Sequence, residues 1–213
     1  MLQPSGGQLR VDESRSAKPC GGQARFTFTS VEATATGSQP KSVHKTALLL
    51  TEEGRERRAG VWCVPPTELD TSPPLAKLGL EVAAINADNL AERFAANSMR
   101  VHGFLRHQGM VAGVGRRLSN EVCHAAQISP FATTRKLGAE GAAKVSAAIE
   151  RCVANGLAAE RKRKDMSSSQ DRSSAVHMRA GKPCPVCGDR IHEVSYSSDS
   201  VNYCAVIRRR TFV

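Results

Sequence analysis

The 213-residue chain holds 30 Lys and Arg against 20 Asp and Glu, which gives a formal net charge of +10. Such a charge is typical of proteins that bind a polyanion, most often nucleic acid. No apolar run approaches the roughly 18 residues of a membrane span, and the N-terminus lacks the apolar segment of a secretory signal, so no membrane partner is expected. The seven cysteines, three of them at metal-binding spacing, favour a reducing cytoplasm over a disulfide scaffold.

The N-terminal part of the chain predicts only a few short strands. Residues 1–46 are rich in Gly, Ser, Thr and Gln, and we expect a weakly ordered segment with one strand-like run at residues 25–29. Residues 47–85 are interpreted as the remnant of a β-domain followed by a linker. Strands are expected at residues 47–51, where apolar side chains are continuous, and at residues 60–64, which two prolines end.

Residues 86–160 carry the helical signal. Asp88 is a candidate N-cap of the first helix. Gly109, Gly113 and Gly115 interrupt the pattern between the second and third helices, because glycine disfavours helix interiors and permits turns. The expected helices run over residues 88–94, over residues 99–108, from Leu118 onward, and over residues 140–159. Their spacing predicts a buried face that contains Leu118, Val122, Cys123, Ala125, Ala126, Val145, Ala148, Ile149, Cys152 and Val153.

The C-terminal part combines a loop with a cysteine pattern. Residues 161–176 are basic and Ser-rich without apolar periodicity, so we expect a flexible loop. Residues 177–213 contain Cys184 and Cys187, with two residues between them, and Cys204, with sixteen residues between it and Cys187. Thiolates that arrive from two tight turns supply the tetrahedral geometry of structural zinc. The sequence therefore predicts a zinc site with these three cysteines as ligands.

The predicted zinc site lacks a fourth cysteine. A complete site of this type would carry one three positions after Cys204, where this chain has Ile207. His192 is an alternative nitrogen ligand. Three thiolates and a water bind zinc more weakly than four thiolates do. Because metal binding and local folding are one equilibrium, we expect an incomplete and partly disordered finger.

Three sequence segments resemble one known family. Residues 105–121 (LRHQGMVAGVGRRLSNE) and 126–130 (AQISP) are similar to the helix–two-turns–helix signature of the formamidopyrimidine-DNA glycosylase and endonuclease VIII family. Residues 177–188 (HMRAGKPCPVCG) are similar to the start of that family's zinc finger. The resemblance implies an α+β fold with a mainly helical helix–two-turns–helix domain, a remnant N-terminal β-domain and a C-terminal zinc-finger-like β-hairpin. It implies duplex or damaged DNA as the partner, in base excision repair; no protein partner is inferred.

The resemblance also assigns contacts with the DNA backbone. In the family, the glycine turn presents backbone N–H groups to a phosphate, and the dipole of the following helix favours the same anion. Arg116 stands where the family has asparagine, and an arginine can still bind phosphate. Glu121 matches a family glutamate and is interpreted as ordering the turn. The expected DNA-binding residues are Arg106, Gln108, Gly113, Gly115, Arg116 and Arg179.

Two departures from the family pattern bear on activity. The family's chemistry uses an N-terminal proline amine to attack the sugar C1′ and the next residue, a glutamate, to transfer protons. This chain opens with MLQPS, in which Pro4 is internal and Ser5 is not a carboxylate, so no catalytic residue is predicted. In the hairpin, Asp199 replaces the family's phosphate-binding arginine and would repel DNA.

Three functions remain open from the sequence. The first is a relative of the glycosylases that binds DNA without cleaving it. The second is an active glycosylase and abasic-site lyase that uses another amine, such as a lysine of the basic loop, because Schiff-base chemistry needs only a positioned amine of lowered pKa. The third is a decayed gene product whose two ends arise from shifted reading frames. We favour the first.

Overall fold

The computed structural model describes residues 7–13, 22–31, 43–52, 60–69, 71–73, 75–163, 172–196 and 199–206. Its secondary structure is mixed, with helices and small sheets, which is the expected α+β class. The chain divides into two compact units, Met1–Pro65 and Pro66–Val213. No helix in the described ranges combines the length and apolar composition needed to cross a lipid bilayer.

The first unit is built on a three-stranded antiparallel sheet. Its strands are β1 (Gly7–Val11), β2 (Gly22–Val31) and β3 (Val43–Glu52), in the order β1-β3-β2. The central strand β3 contains the apolar run for which a strand is predicted, and its Ala47, Leu49 and Leu50 are buried.

Two expectations for the first unit differ from the structure. The segment expected to be weakly ordered supplies all of β1 and β2, which gain their backbone hydrogen bonds by pairing with the more apolar β3. The strand predicted at residues 25–29 is confirmed, because it lies within β2. The strand expected at residues 60–64 does not form there, and Val61 and Trp62 are exposed. Pairing with a distant segment decides strand formation in both cases, and local composition does not report it.

The described residues of the second unit form four α-helices: α1 (Ala87–Ala96), α2 (Val101–Arg106), α3 (Arg116–Ala125) and α4 (Thr134–Lys162). The N-cap of α1 is Asn86 and not Asp88: the Asn86 side chain accepts the backbone N–H of Asn89, whose own side chain accepts the N–H of Asn86. The range of α4 holds two helical stretches that meet at Gly138, whose φ of +57° and ψ of −160° are not helical, so the long stretch starts close to the predicted residue 140. Glycine tolerates that positive φ, which allows the chain to bend between the two stretches.

The helices share one hydrophobic core. Phe94 of α1 and Phe104 of α2 are fully buried and pack edge to face, with ring centroids 5.1 Å apart. The predicted buried face is confirmed, with Leu118, Ala125, Cys152 and Val153 only partly buried. Burial, and secondarily the charge of Cys152, raises the pKa of the Cys123 thiol to about 12. Both cysteines are therefore core side chains.

The chain ends in a cysteine module, which we define as the described residues 172–196 and 199–206. Strands β6 (Ile191–Tyr196) and β7 (Asp199–Cys204) form its antiparallel hairpin. Its small core contains Val176, Cys184, Ile191 and Cys204. The module packs on the helices: β7 contacts α3, and Tyr203 packs edge to face against Phe131 at 5.2 Å. Two further short strands, β4 (Leu80–Glu81) and β5 (Val111–Ala112), pair in parallel beside α2.

Candidate nucleic-acid interface and cysteine cluster

The turn between α2 and α3 is held by the side chain of Gln108. Its Nε2 donates to the carbonyl oxygens of Val114 at 2.7 Å and Arg106 at 3.1 Å, and its Oε1 accepts the backbone N–H of Gly113 at 3.0 Å. Both ends of the amide are thus engaged within the turn. The structure places Gln108 in a positioning role, and the Gly113 N–H that the sequence offers to a phosphate already has a partner.

The two glycines of this turn differ in what requires them. Gly113 has a φ of +89°, a conformation that side chains with a Cβ rarely adopt. Gly115 has an ordinary extended backbone (φ −99°, ψ −178°), and a Cβ built on it would meet nothing within 4 Å in the parts of the chain that the structure describes. Gly115 is the N-cap of α3, and among the described residues no side chain caps this helix. The N-terminus of α3 is therefore open in the sense that no described side chain accepts its first amides.

The three predicted arginines have different environments. Arg116, the first residue of α3, is exposed, whereas Arg106 at the end of α2 is half-buried. The guanidinium of Arg179 donates to the carbonyl oxygens of Ser174 at 3.3 Å and Pro183 at 3.1 Å, so it holds together the segment that leads to the cysteines. Of the three, Arg116 stands beside the open N-terminus of α3.

Glu121 has a role that the sequence does not indicate. Its carboxylate accepts three successive backbone N–H groups, from Ala175 at 2.8 Å, Val176 at 3.0 Å and His177 at 2.9 Å. These donors lie at the start of the cysteine module, 54 to 56 residues along the chain. The expectation that Glu121 orders the glycine turn is therefore replaced: it anchors the module to α3.

Other side chains of α3 reach the same module. Arg117 donates to the Ser174 hydroxyl at 3.0 Å. The amide of Asn120 donates to Nδ1 of His177 at 3.0 Å, which requires that ring nitrogen to be unprotonated. A polar face of α3 lies beside the predicted apolar one. Positions i, i+3, i+4 and i+7, the pattern of one helix face, are held by Arg117, Asn120, Glu121 and His124, so polar periodicity in the sequence is the signal of this face.

The three cysteines of the predicted metal site come together. Their Sγ atoms all lie within 4.8 Å of one another, and those of Cys187 and Cys204 are 3.4 Å apart. A tetrahedral zinc with Zn–S bonds of about 2.3 Å has sulfurs about 3.8 Å apart, so the cluster has the size that zinc needs. Cys184 and Cys204 are buried and Cys187 is exposed. No disulfide forms among the six cysteines that the structure describes.

The surroundings of Cys184 favour a thiolate. Burial raises the pKa of this thiol, but hydrogen bonds from the backbone of Val186 and Cys187 and from the neighbouring thiols together lower it below its ordinary value. The Val186 N–H lies 3.5 Å from the Cys184 Sγ. Backbone donors of this kind stabilise a metal-binding sulfur.

One alternative ligand of the metal site, His192, lies apart from the cluster. His192 is not among its members within the described ranges; its exposed ring stacks on Tyr203 with centroids 5.7 Å apart. Ile207, at the position of the missing fourth cysteine, lies outside the described residues, as do Pro4 and Ser5. Of Asp199, the structure describes the backbone at the start of β7.

Comparison with known proteins identifies relatives of this chain. No protein-family model matches the chain. An uncharacterised formamidopyrimidine-DNA glycosylase-like protein of Mycobacterium tuberculosis is 38% identical over 142 residues, which cover 62% of this chain and 85% of that protein. The formamidopyrimidine-DNA glycosylase of Moorella thermoacetica is 31% identical over 65% of this chain and 54% of its own length. The chain thus spans only about half to three fifths of such enzymes.

Solved structures support the same fold. Lactococcus lactis Fpg in complex with DNA that contains an abasic site aligns with 97% of this chain and 73% of that chain, with a TM-score of 0.70 and 14% identity. MutM in complex with DNA that contains carbocyclic 8-oxo-G gives a TM-score of 0.63 over 96% of this chain and 76% of that chain, also at 14% identity. Because the mycobacterial relative is 38% identical over most of its length, the chain belongs to the formamidopyrimidine-DNA glycosylase-like family.

Proposed function

We propose that this protein binds duplex or damaged DNA through the sugar–phosphate backbone, as a non-cleaving component of base excision repair. The relatives named as DNA glycosylases and the DNA complexes of the structural neighbours support this function. The net charge of +10 is consistent with it, because a basic protein gains affinity for DNA by releasing counterions.

One observation carries the proposal, the open N-terminus of α3. Gly115 needs no special backbone conformation and no atom of the described residues competes for its side-chain space, so the described part of the fold would accept alanine there. A glycine in such a position allows a ligand to approach the backbone closely. The uncapped amides and the helix dipole favour an anion, and a DNA phosphate is the anion that this family meets.

Arg116 supplies the side-chain contact in this proposal. It is exposed, directly follows Gly115, and can bind a phosphate through two parallel N–H donors. Arg106 is assigned a weaker electrostatic contribution to DNA binding, since it is half-buried. Gln108 and Arg179 act indirectly: the first shapes the turn, and the second shapes the approach to the cysteines.

We further propose zinc as the metal of the cysteine cluster. Cys184, Cys187 and Cys204 would hold it, and the spacing of their sulfurs fits a tetrahedral ion. When bound, zinc supplies no reaction chemistry; it fixes the hairpin that carries β6 and β7. Thiols kept reduced suit this role, and for that reason we place the protein in the cytoplasm.

Binding is tested by fluorescence anisotropy with an intact duplex and with a duplex that carries an abasic-site analogue. We expect micromolar or weaker dissociation constants and an affinity that falls steeply between about 50 and 200 mM salt. Gly115→Ala should weaken binding without unfolding the protein, because its methyl group occupies space that only the DNA would use. Gly156→Ala is the matched control, since a Cβ at Gly156 of α4 also meets nothing within 4 Å.

Two results would contradict the binding proposal: affinity that does not depend on salt, or equal affinities for the Gly115 variant and wild type. Catalysis is examined separately by borohydride trapping on DNA with a natural abasic site. A covalent adduct would show that an amine nucleophile exists and would replace the non-cleaving function with lyase activity. We expect no adduct.

A further inference from the structure

A histidine of α3 touches the cysteine cluster, although the sequence pattern of the metal site does not include it. His124 and Cys184 are 60 residues apart in the chain, yet Nε2 of His124 lies 3.3 Å from Sγ of Cys184. Both side chains are buried, with 8% and 3% of their surfaces exposed. Among the described residues, the group of possible metal ligands contains only the sulfurs of the three cysteines. The His124 imidazole therefore contacts one of these sulfurs without being a member of the group.

We propose that His124 is a positioning residue of the metal site, which donates its Nε2–H to the metal-bound sulfur of Cys184. This inference rests on the proposed zinc site. Three thiolates on one zinc ion leave a net negative charge, and a hydrogen bond to a sulfur disperses part of it. A buried donor fixed on α3 also holds the Cys184 side chain in one orientation, which lowers the entropy lost when the metal binds.

The location of this donor has a structural consequence. Helix α3 begins at the glycine turn, where we place the DNA phosphate, and His124 lies near its other end. Glu121 already joins the same helix to the backbone of residues 175–177. Metal binding at Cys184 would therefore stabilise the position of α3, the helix that we place against DNA, as well as the hairpin itself.

The experiment compares metal affinities of the full chain with substitutions at His124. Zn²⁺ affinity is measured by competition with a chelating dye, and Co²⁺ is used as a spectroscopic probe. His124→Phe keeps a ring of similar volume without a donor and should bind Zn²⁺ about 10- to 100-fold more weakly. His124→Gln retains an N–H donor and should recover part of that loss.

Further variants keep the comparison interpretable. His192→Gln removes the exposed histidine of the hairpin, and its Zn²⁺ affinity should stay within about twofold of wild type, because His192 does not contact the sulfurs. His124→Leu offers a smaller apolar replacement in case phenylalanine overfills the site and prevents folding, which circular dichroism of the metal-free protein would reveal.

The Co²⁺ spectra distinguish a donor from a ligand. If His124 only donates to sulfur, the ligand-field bands of the Phe and Leu variants should match those of wild type, with weaker binding. Unchanged affinity in these variants would overturn the inference, and so would a shift of the bands, which would make His124 a direct ligand. A wild-type protein that binds neither ion would overturn the zinc site together with this inference, whereas the first two results leave the zinc site standing.

Discussion

The anchor formed by Glu121 allows a quantitative prediction. In wild type, Oε1 accepts two backbone N–H groups and Oε2 accepts the third, from Ala175. Glu121→Gln places an amide NH₂ against the Ala175 N–H, so that hydrogen bond is lost and the other two lose their charge assistance. A hydrogen bond to a charged group contributes about 1.5–3 kcal/mol and a neutral one about 1 kcal/mol. Because the three donors are only partly shielded from water, we expect the substitution to cost about 2–4 kcal/mol.

Amide hydrogen exchange measures this cost at the site itself. A loss of about 2–4 kcal/mol corresponds to exchange of the amides of residues 175–177 that is faster by roughly 30- to 700-fold. Glu92→Gln is the control, since this substitution makes the same chemical change at an exposed position of α1. The reasoning would be refuted if the three amides exchanged as slowly in the Glu121 variant as in wild type. Faster exchange throughout the helices would show a global effect and refute the local anchor.

Three further predictions concern the turn and its surroundings. Gly113→Ala forces a Cβ onto a φ of +89° and should lower the free energy of unfolding by about 1–2 kcal/mol in urea titrations followed by circular dichroism; an unchanged midpoint would contradict the strain. Arg116→Gln should weaken DNA binding and reduce the slope of log affinity against log salt by about one, and an unchanged slope would remove Arg116 from the interface. Burial, and next the charge of Arg116, lowers the pKa of His177 below its ordinary 6.5. The unfolded chain therefore binds more protons as pH falls below 6.5, so stability should fall there, and less in His177→Gln; identical pH profiles would contradict this.

The local sequence was sufficient to indicate the helical faces and the family. Apolar residues at helical spacing predicted the core side chains of α3 and α4, because burial on one face imposes that period. The start of α1 was predicted two residues too late. A cap depends on which neighbouring side chain reaches the free backbone N–H groups, and here that side chain is Asn86 and not Asp88. The strand β1 escaped local prediction and β2 was predicted only over residues 25–29, since both depend on pairing with β3.

What the sequence by itself determined is the set of chemical groups: the glycine turn, the arginine beside it and three thiols at metal-binding spacing. Only the tertiary structure decided which of these groups are already occupied. Gln108 and Arg179 donate to backbone carbonyls, and Glu121 and His124 reach across 54 to 60 residues to the cysteine module. The contacts of Glu121 and His124 join segments that are distant in the chain, and no local pattern records which segments meet. Those of Gln108 and Arg179 lie within six residues and depend on the conformation of the turns that they close. A buried donor or acceptor needs a hydrogen-bond partner, and the fold decides which residue comes close enough to be that partner.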